Sequence, residues 1–491
     1  MVKTKPSLAK LQKSNQLHGA TDQIQDVSTA ALPQTDRKGK GPNIAPIATN
    51  ILLASIVVLV LWFLVYQTLL LGATFFFSTI IVFFSTLLAI QSAVTLTWML
   101  YAWEDKSKIL SSKSPQEFLP PKYSFTAFLP ARHEEKVIRD TILAIDRINY
   151  PPELKEILIL CREDDTETIA KAQETIRSLK NKNIRLIIFD DFPINKPHGL
   201  NKGLVEAKNQ IIGIFDAEDE PHQDIYNIIN TVLVKDKVDV VQSGVQLMNF
   251  RSYWFSALNV LEYFFWFKSG LHFFTNVGEV SPLGGNTVFF KKNWLKKIGG
   301  WDEDCLTEDA DVGIRLTLAG AKIKVVYDEL HATQEETPDS VKSFIKQRTR
   351  WNQGFLQIVR KKDWLKLPTF KQKLIAAYIL LSPEIGALLF FYIPLAIGIA
   401  LTQKLPVPVS LLSYLPFYLF IFQIAVCGLG IYEFCKAYRL KSSFWMPLKV
   451  MISFYPYQLL LMISSFRAGY RMLVNQIGWE KTAHTNAHRK K

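Results

Sequence analysis

The stretch that decides the fold is Gln210-Ile-Ile-Gly-Ile-Phe-Asp-Ala-Glu-Asp-Glu-Pro221, an apolar run that ends in four acidic residues within five positions. Such a run, bounded by turn residues, is typical of a strand buried on both faces of a parallel sheet. Strands are predicted over Phe125–Leu129, Ile157–Cys161, Ile184–Phe189, Gln210–Phe215 and Val238–Gln242, and helices over Glu134–Arg147 and Glu167–Lys180. Their alternation predicts an α/β domain with a mostly parallel sheet and helices on both faces.

A long uncharged block precedes this domain and places it at a membrane. The chain has 491 residues, of which 49% are apolar and 21% charged, and no Asp, Glu, Lys or Arg occurs from Gly41 to Trp103. As a helix this block would measure about 95 Å, against about 30 Å for the hydrocarbon core of a bilayer. We therefore predict a transmembrane hairpin over residues 50–103, with helices Asn50–Leu71 and Ala73–Tyr101 joined at Gly72, and a soluble domain over residues 104–370.

The region 371–478 is apolar again and is predicted to hold interfacial and transmembrane helices. Leu405–Tyr432 is uncharged, whereas the uncharged run Val450–Phe466 is marginal in length for a span. Three complete spans would put the C-terminus outside, but the basic tail favours the cytoplasmic side. One segment is therefore predicted to be interfacial or broken; residues 371–382, before Pro383, are favoured as a membrane-surface helix, and Pro456 also weakens the last span.

The two ends of the chain carry much of its positive charge. The net charge is +13, with seven of these charges in residues 1–49 and 478–491. Residues 1–49 are predicted to be a disordered cytoplasmic tail and residues 479–491 a basic cytoplasmic tail. Charges in tails beside membrane spans act as topology signals that meet anionic lipid, so membrane lipids are expected partners and nucleic acid is not. The expected location is the plasma (inner) membrane, multi-pass, with the soluble domain in the cytoplasm. The four cysteines lack metal or redox spacing and are predicted to be reduced and buried.

The acidic run after the predicted strand is the clearest candidate site. Ligands bind beyond the carboxyl ends of strands in open α/β sheets, and Asp216 and Glu218 stand at such an end. Like charges this dense are tolerated where a hard divalent cation, Mg²⁺ or Mn²⁺, neutralises them together with a nucleotide diphosphate. Asp219 is a third candidate ligand. The alternative is a solvated acidic turn that caps the next helix.

Two further motifs carry groups suited to sugar chemistry. In Leu306-Thr-Glu-Asp-Ala-Asp311, Asp309 stands at a predicted helix N-terminus, where a carboxylate can take a proton from a sugar hydroxyl; the alternative is helix capping. In Gln347-Arg-Thr-Arg-Trp351, Arg350 suits a diphosphate and Trp351 suits a sugar ring; the alternative is a basic amphipathic helix on the membrane.

Three weaker motifs have both a binding interpretation and an ordinary structural one. Lys196 or Lys202 suits a phosphate, the glycine pair in Pro282–Thr287 allows close approach of a ligand to the backbone, and Glu163–Asp165 suits a base or ribose. The alternatives are a basic loop, a plain turn and a plain loop. The sequence lacks the signatures of P-loop ATPases, dinucleotide oxidoreductases, zinc proteases and serine hydrolases.

Taken in order, these motifs resemble the family 2 glycosyltransferases, over about residues 120–360. The likeness is to the membrane-embedded branch that makes cellulose, hyaluronan, chitin and mannan, and is nearest to bacterial exopolysaccharide glucosyltransferases. It implies a GT-A fold between N- and C-terminal transmembrane helices. The implied roles are as follows: Asp164 or Asp165 on the nucleoside; Lys196, Glu308, Gln347 and Arg350 on the nucleotide sugar; Asp216, Glu218 and Asp219 on the metal; Asp309 as general base; and Trp351 on the acceptor. Glu218 departs from the Asp that is usual in the cellulose and hyaluronan enzymes.

The activity that this resemblance implies is an inverting, metal-dependent transfer from a nucleotide sugar, expected to be a UDP-sugar, to a growing polysaccharide. Coupled translocation through the membrane helices is expected, with accessory secretion proteins as further partners. One alternative is the non-processive transfer of a single sugar to a lipid-linked acceptor. Another is an inactive membrane scaffold or transporter subunit, which the retained acidic cluster argues against.

Overall fold

The computed structural model describes residues 58–59, 62, 66, 72–104, 106–476, 478, 480 and 489. The chain divides into two units, residues 1–66 and 67–491, and the architecture given below is that of the second. The predicted tail 1–49 lies outside the described residues. So do most of the predicted helix Asn50–Leu71 and most of the predicted tail 479–491.

A seven-stranded sheet forms the centre of the soluble domain. The strands are β1 Phe125–Ala131, β2 Lys155–Arg162, β3 Ile184–Phe189, β4 Ile211–Ile214, β5 Val240–Ser243, β6 Val245–Leu247, β7 Val288–Lys291, β8 Ile323–Val326 and β9 Thr333–Glu335. The order in the main sheet is β3-β2-β1-β4-β7-β5-β8, and every neighbouring pair is parallel except the two that involve β7. All five predicted strands are present, with ends within two residues of the prediction.

Helices cover both faces of the sheet, as predicted. The helices are α1 Ala73–Glu104, α2 Lys106–Ser112, α3 Ile138–Asp146, α4 Thr166–Ser178, α5 Lys196–Glu206, α6 Ile225–Lys235, α7 Ser256–Phe265, α8 Leu271–Asn276, α9 Lys292–Lys297, α10 Glu308–Leu318, α11 Val341–Lys361, α12 Phe370–Thr402, α13 Val407–Ala437 and α14 Met446–Leu473. Apolar side chains of α3, α4 and α6 pack on one face, and those of α5, α9 and α10 on the other. The mostly parallel α/β prediction is therefore confirmed.

Two of the unpredicted strands, β7 and β9, reach β4 and the acidic loop that follows it. The antiparallel strand β7 is inserted between β4 and β5, and β6 pairs with β9 in a small parallel sheet. A bridge between the backbones of Glu220 and Gln334, with N–H···O distances of 3.0 and 3.1 Å, joins the acidic loop to β9. Residues far apart in sequence thus meet at the carboxyl end of β4.

In the described part of the chain, four helices are long and apolar enough to cross a membrane: Thr74–Glu104, Phe370–Ile399, Val407–Ala437 and Met446–Leu473. Residues 371–382 do not form a separate surface helix, because they are the first third of α12, which continues through Pro383 and Pro394. Of the four candidates, α14 has the lowest hydropathy. All four cysteines are buried and unpaired, as predicted.

The ends of α12, α13 and α14 contact the soluble domain. At the start of α12, the Gln372 side chain donates to the Glu279 carbonyl. After α13, the Tyr438 hydroxyl lies 2.9 Å from that of Tyr327. Helix α14 lies against α11 along its length: Tyr457 packs on Phe344, and the Asn352 amide donates to Ser465 at 2.9 Å. Finally, the Arg471 guanidinium donates to Gln353 Oε1 at 2.8 Å.

Candidate active site

The acidic loop after β4 is folded by its own side chains and by Asn286. The Asp219 carboxylate accepts hydrogen bonds from the backbone N–H of Asp216 at 2.9 Å and from the Asn286 amide at 2.8 Å, and Asp219 is 0% exposed. Glu218 is also buried. The loop is therefore not a solvated turn. It also does not cap the next helix, α6, because the N-cap residue of that helix, Asp224, makes no side-chain capping hydrogen bond.

Three carboxylates converge at this loop in a way that suits a divalent cation. Asp216, Glu218 and Glu335 each offer an oxygen, and these oxygens lie within 4.8 Å of one another. Asn286 orients one member of this trio and one acid behind it. Its amide donates to Glu335 at 2.7 Å and to Asp219 at 2.8 Å. Hard carboxylate oxygens in this number are what Mg²⁺ and Mn²⁺ take from proteins, so the donor set fits the predicted metal.

The predicted ligands Asp216 and Glu218 belong to this trio, whereas Asp219 supports the loop behind it. Glu335 was missed by the sequence reasoning, because it reaches the site through the bridge between Glu220 and Gln334. The available signal was the acidic pair Glu335–Glu336 after a short polar run, which carries no strand-end pattern of its own.

Because Glu218 and Glu335 are buried, their protonated forms are favoured when no cation is present. Burial, and next the charge of Asp216, raise the pKa of Glu218 to about 8. Burial, followed by the charges of Asp219 and Glu218, raises the pKa of Glu335 well above its usual range. A bound cation would reverse this balance, because ligation needs the carboxylates deprotonated.

Lys196 lies beside the trio at the first position of α5. Asn195 caps this helix, and the Lys196 ammonium donates to Asp216 Oδ1 at 2.5 Å and to the Gly285 carbonyl at 2.9 Å. Burial alone would lower its pKa, but Asp216 and Glu308 outweigh burial and raise it. Lys196 is thus a buried permanent cation at the edge of the cluster, where a diphosphate oxygen could replace its carboxylate partner.

Asp309 lies at the N-terminus of α10, close to Lys196. Its Oδ1 accepts a hydrogen bond from the Ala310 N–H at 2.8 Å, whereas Thr307 makes no side-chain cap. Gly285 lies close to both groups: a Cβ there would lie 3.2 Å from Asp309 Oδ2 and 3.4 Å from Lys196 Nζ, so a side chain would press on Asp309. Burial raises the pKa of Asp309, and burial raises that of Glu308 to about 7. The backbone N–H, Lys196 and Arg350 oppose the burial effect on Asp309 and favour its charged form.

Helix α11 brings Gln347, Arg350 and Trp351 to the same cavity. Arg348, which was not predicted as a site residue, is paired with Glu262 and lies 4.5 Å over the Trp351 ring. The Tyr457 hydroxyl donates to Glu262 at 2.6 Å. Trp351 is therefore held by a partly buried pair that also reaches α14.

One cavity of about 540 Å³ joins these groups to the apolar helices. It is lined by Asp216, Glu218, Glu335, Lys196, Glu308 and Asp309 and by Trp351. It is also lined by residues of the four candidate membrane helices: Thr95, Trp98 and Met99 of α1, Ser382 of α12, Gln423 and Cys427 of α13, and Phe454, Tyr457 and Gln458 of α14. Aromatic rings and amides among apolar residues form a surface suited to a sugar chain.

Asp164 and Asp165, predicted to contact the nucleoside, do not line this cavity. Asp164 forms a bidentate pair with Arg132 at 3.0 Å, and the hydrogen bond from Arg132 lowers its pKa. Asp165 caps α4 and accepts a hydrogen bond from the His133 N–H at 2.6 Å. The cavity wall at this place is formed by Arg132 and Arg162, so the two acids lie behind basic side chains.

Comparison with known proteins agrees with this geometry. Residues 120–354 match the model of the family described as "Glycosyltransferase like family 2". A poly-β-1,6-N-acetyl-D-glucosamine synthase from Staphylococcus aureus is 29% identical over 287 residues, 58% of this chain and 66% of that protein. The synthase of the same name from Staphylococcus epidermidis is 26% identical over 270 residues, 54% of this chain and 62% of that protein. The chain thus spans less than two thirds of the length of these relatives.

Among solved structures, a mannosyltransferase from Pyrobaculum calidifontis in complex with GDP-Man and Mn²⁺ matches with a TM-score of 0.53 and 16% identity. The match covers 80% of this chain and 99% of that chain. At this identity the likeness concerns the fold, and it agrees with the mostly parallel sheet and its flanking helices. Residues 120–354, just under half of the chain, therefore match the family 2 glycosyltransferase model, and their fold is of the GT-A type.

Proposed function

We propose that the protein transfers a sugar from a nucleotide diphosphate donor to the growing end of a polysaccharide and passes the product between its apolar helices. The observation that carries this proposal is that one cavity is lined both by the acidic cluster and Trp351 and by all four candidate membrane helices. A transferase with a small soluble acceptor would have no use for such an extension.

Asp216, Glu218 and Glu335 would hold Mg²⁺ or Mn²⁺. When bound, this cation would neutralise the diphosphate and make it a better leaving group. Lys196 lies on the same side of the cavity and would contact the diphosphate, and Arg350 would add a second positive charge from α11. Gln347 would complete this contact through its amide.

Asp309 would act as general base. The acceptor hydroxyl oxygen would attack the anomeric carbon of the donor from the face opposite the diphosphate, and its proton would pass to Asp309. The bond between the anomeric carbon and the diphosphate oxygen would break with its electron pair on the diphosphate. A single displacement of this kind inverts the anomeric centre. Trp351, fixed by Arg348, would stack on the acceptor ring.

The donor is proposed to be a UDP-sugar, and UDP-N-acetylglucosamine is the first to test because the relatives from Staphylococcus are named poly-N-acetylglucosamine synthases. The glucose transfer implied by the sequence resemblance is the second. Arg132 and Arg162 line the cavity beyond β1 and β2 and would face the nucleotide.

We place the soluble domain on the cytoplasmic side of the membrane, where nucleotide sugars are made. Helix α12 begins and α13 ends at this domain, so together they would cross the membrane out and back. Helix α14 contacts α11 at Tyr457, Ser465 and Arg471, and we propose that it, and not residues 371–382, is the surface helix. The C-terminus would then lie on the cytoplasmic side.

The test uses the full chain reconstituted in lipid vesicles with Mn²⁺ and, in turn, radiolabelled UDP-N-acetylglucosamine, UDP-glucose and GDP-mannose. Asp309→Asn should abolish transfer, whereas Glu174→Gln, at an exposed acid far from the cavity, should not. Long products on a gel support the polymerase. Products extended by one sugar would reject it in favour of single transfer to a lipid-linked acceptor, and transfer by Asp309→Asn at the normal rate would reject the base assignment.

A further inference from the structure

The C-terminal tail contributes an arginine to the back of the acidic loop. The Arg489 guanidinium donates hydrogen bonds to the carbonyl oxygens of Asp219 at 2.6 Å and Glu218 at 3.3 Å, and to the Thr141 hydroxyl at 3.0 Å. Its side chain is 14% exposed. A basic tail that served only as a topology signal would have no reason to bury this charge.

Thr141 completes the contact from α3. Its hydroxyl donates to the Ala217 carbonyl at 2.5 Å, so the carbonyls of three consecutive residues of the loop are bonded from outside. The carbonyls of Ala217 and Glu218 belong to the peptide planes on either side of the Glu218 Cα. Fixing both planes fixes the direction in which the Glu218 side chain leaves the backbone.

We propose that Arg489 is a positioning residue, which holds the acidic loop so that Glu218 meets Asp216 and Glu335. The proposal rests on the metal-binding role proposed above for these three carboxylates. All three hydrogen bonds come from one guanidinium nitrogen, Nη2, which the long planar side chain of arginine brings between the two carbonyls and the hydroxyl. Glu220 and Asp140 lie 3.8 and 3.9 Å from the guanidinium and balance its charge.

Positioning and simple electrostatics predict opposite results. A positive charge close to the metal opposes Mn²⁺, so an arginine that acts only through its charge would weaken Mn²⁺ binding, and its removal would tighten it. An arginine that orients the loop would strengthen Mn²⁺ binding, and its removal would weaken it. Arg489→Lys separates the two further, because it keeps the charge but changes the reach and the direction of the donors.

The experiment measures the Mn²⁺ concentration that gives half-maximal UDP-sugar hydrolysis by the full chain, together with Mn²⁺ binding in the presence of UDP by electron paramagnetic resonance. Arg489→Ala should raise the half-saturating Mn²⁺ about tenfold, the factor expected for one charge-assisted hydrogen bond. Arg489→Lys should raise it by a smaller factor, and kcat at saturating Mn²⁺ should change little. Lys490→Ala removes the same charge one residue further along and should behave as the wild type.

Thr141→Val tests the same loop without touching the tail. It should shift the Mn²⁺ requirement in the same direction as Arg489→Ala, and the double variant should shift it by less than the product of the two. If Arg489→Ala does not yield folded protein by gel filtration, the Mn²⁺ requirement of Thr141→Val tests the proposal in its place. The proposal is overturned if Arg489→Ala titrates like Lys490→Ala or binds Mn²⁺ more tightly. Asp216→Asn, with Arg489 intact, checks the metal site separately: an unchanged Mn²⁺ requirement there would reject the metal assignment itself.

Discussion

Gly354 lies where α11 packs against the loop that precedes α10, and replacing it with alanine tests whether this contact sets the geometry of the site. A Cβ at this position would lie 2.6 Å from the Thr307 backbone nitrogen and 2.4 Å from its hydroxyl oxygen. The hydroxyl can rotate away, but the backbone nitrogen cannot. Ordinary contacts begin at 3.4 Å, so the two elements must separate by about 0.8 Å.

This displacement should affect catalysis more than stability. Overpacking lowers the free energy of unfolding by about 1–3 kcal/mol, whereas the higher helix propensity of alanine raises it by about 1 kcal/mol over glycine. The net loss of stability is therefore about 0–2 kcal/mol. The same shift moves Arg350 and Trp351 relative to Asp309 by nearly 1 Å. A misplacement of this size lowers the rate of catalysis about a hundredfold. We therefore expect kcat to fall about a hundredfold while the protein stays folded.

The assay compares kcat for sugar transfer and the melting temperature of Gly354→Ala with those of Gly469→Ala. Gly469 is on α14, and a Cβ there meets nothing within 4 Å, so this control gains the same propensity without a clash. If Gly354→Ala keeps the kcat of the control, the packing of α11 on the Thr307 loop does not set the catalytic geometry, and the reasoning is refuted.

Three further predictions follow from the site. Glu335→Gln should raise the half-saturating Mn²⁺ by at least the roughly 10–100-fold that loss of an outer-shell partner causes, and equality with Glu174→Gln in a Mn²⁺ titration would remove Glu335 from the metal site. Because the pKa of Glu218 is raised to about 8, its proton must leave before metal binds; the half-saturating Mn²⁺ should fall by up to about tenfold per pH unit from pH 6 to 8 and then level off, and a flat profile in buffered titrations would contradict this. Tyr457→Phe removes a hydrogen bond to the charged Glu262 and should weaken the hold on Trp351; we expect shorter products at nearly unchanged donor hydrolysis, by gel and by nucleotide release, and products of normal length would argue against the link.

The fold was predictable from the sequence because the strands of a covered parallel sheet are continuous apolar runs. Ile157–Cys161 and Ile184–Phe189 have this pattern, and both are strands. Strand β7 lacked a comparable signal, since Val288–Lys291 is only four residues long and follows a glycine-rich turn. Its direction depends on pairing with β4 and β5, which a local pattern does not encode.

The site was predictable where a chemical group stands next to the element that presents it. Asp216 follows β4 and Asp309 begins α10, so local pattern was enough to choose them. Glu335 and Arg489 reach the same loop from 115 or more residues away, through a backbone bridge and a tail contact. Asp164 and Asp165 show the reverse case: strand-end acids that the fold uses to hold Arg132 and His133.

The choice between α14 and residues 371–382 as the surface helix follows from where the helix ends lie. A helix that crosses a membrane has its ends on opposite sides, so its two ends cannot both contact one soluble domain. Helix α14 begins eight residues after Tyr438, which follows α13 and contacts Tyr327 of that domain, and near the other end of α14 Arg471 contacts Gln353 of α11. Phe390 and Phe391 of α12 are adjacent, yet their rings contact Tyr455 and Phe466, which are eleven residues apart on α14. The rings of two adjacent residues of α12 thus contact a long stretch of α14. Sequence counting chose residues 371–382 because Pro383 and two lysines interrupt the apolar pattern there. A helix tolerates both at its entry to the membrane, where lysine side chains reach the interface and neighbouring helices compensate for the proline.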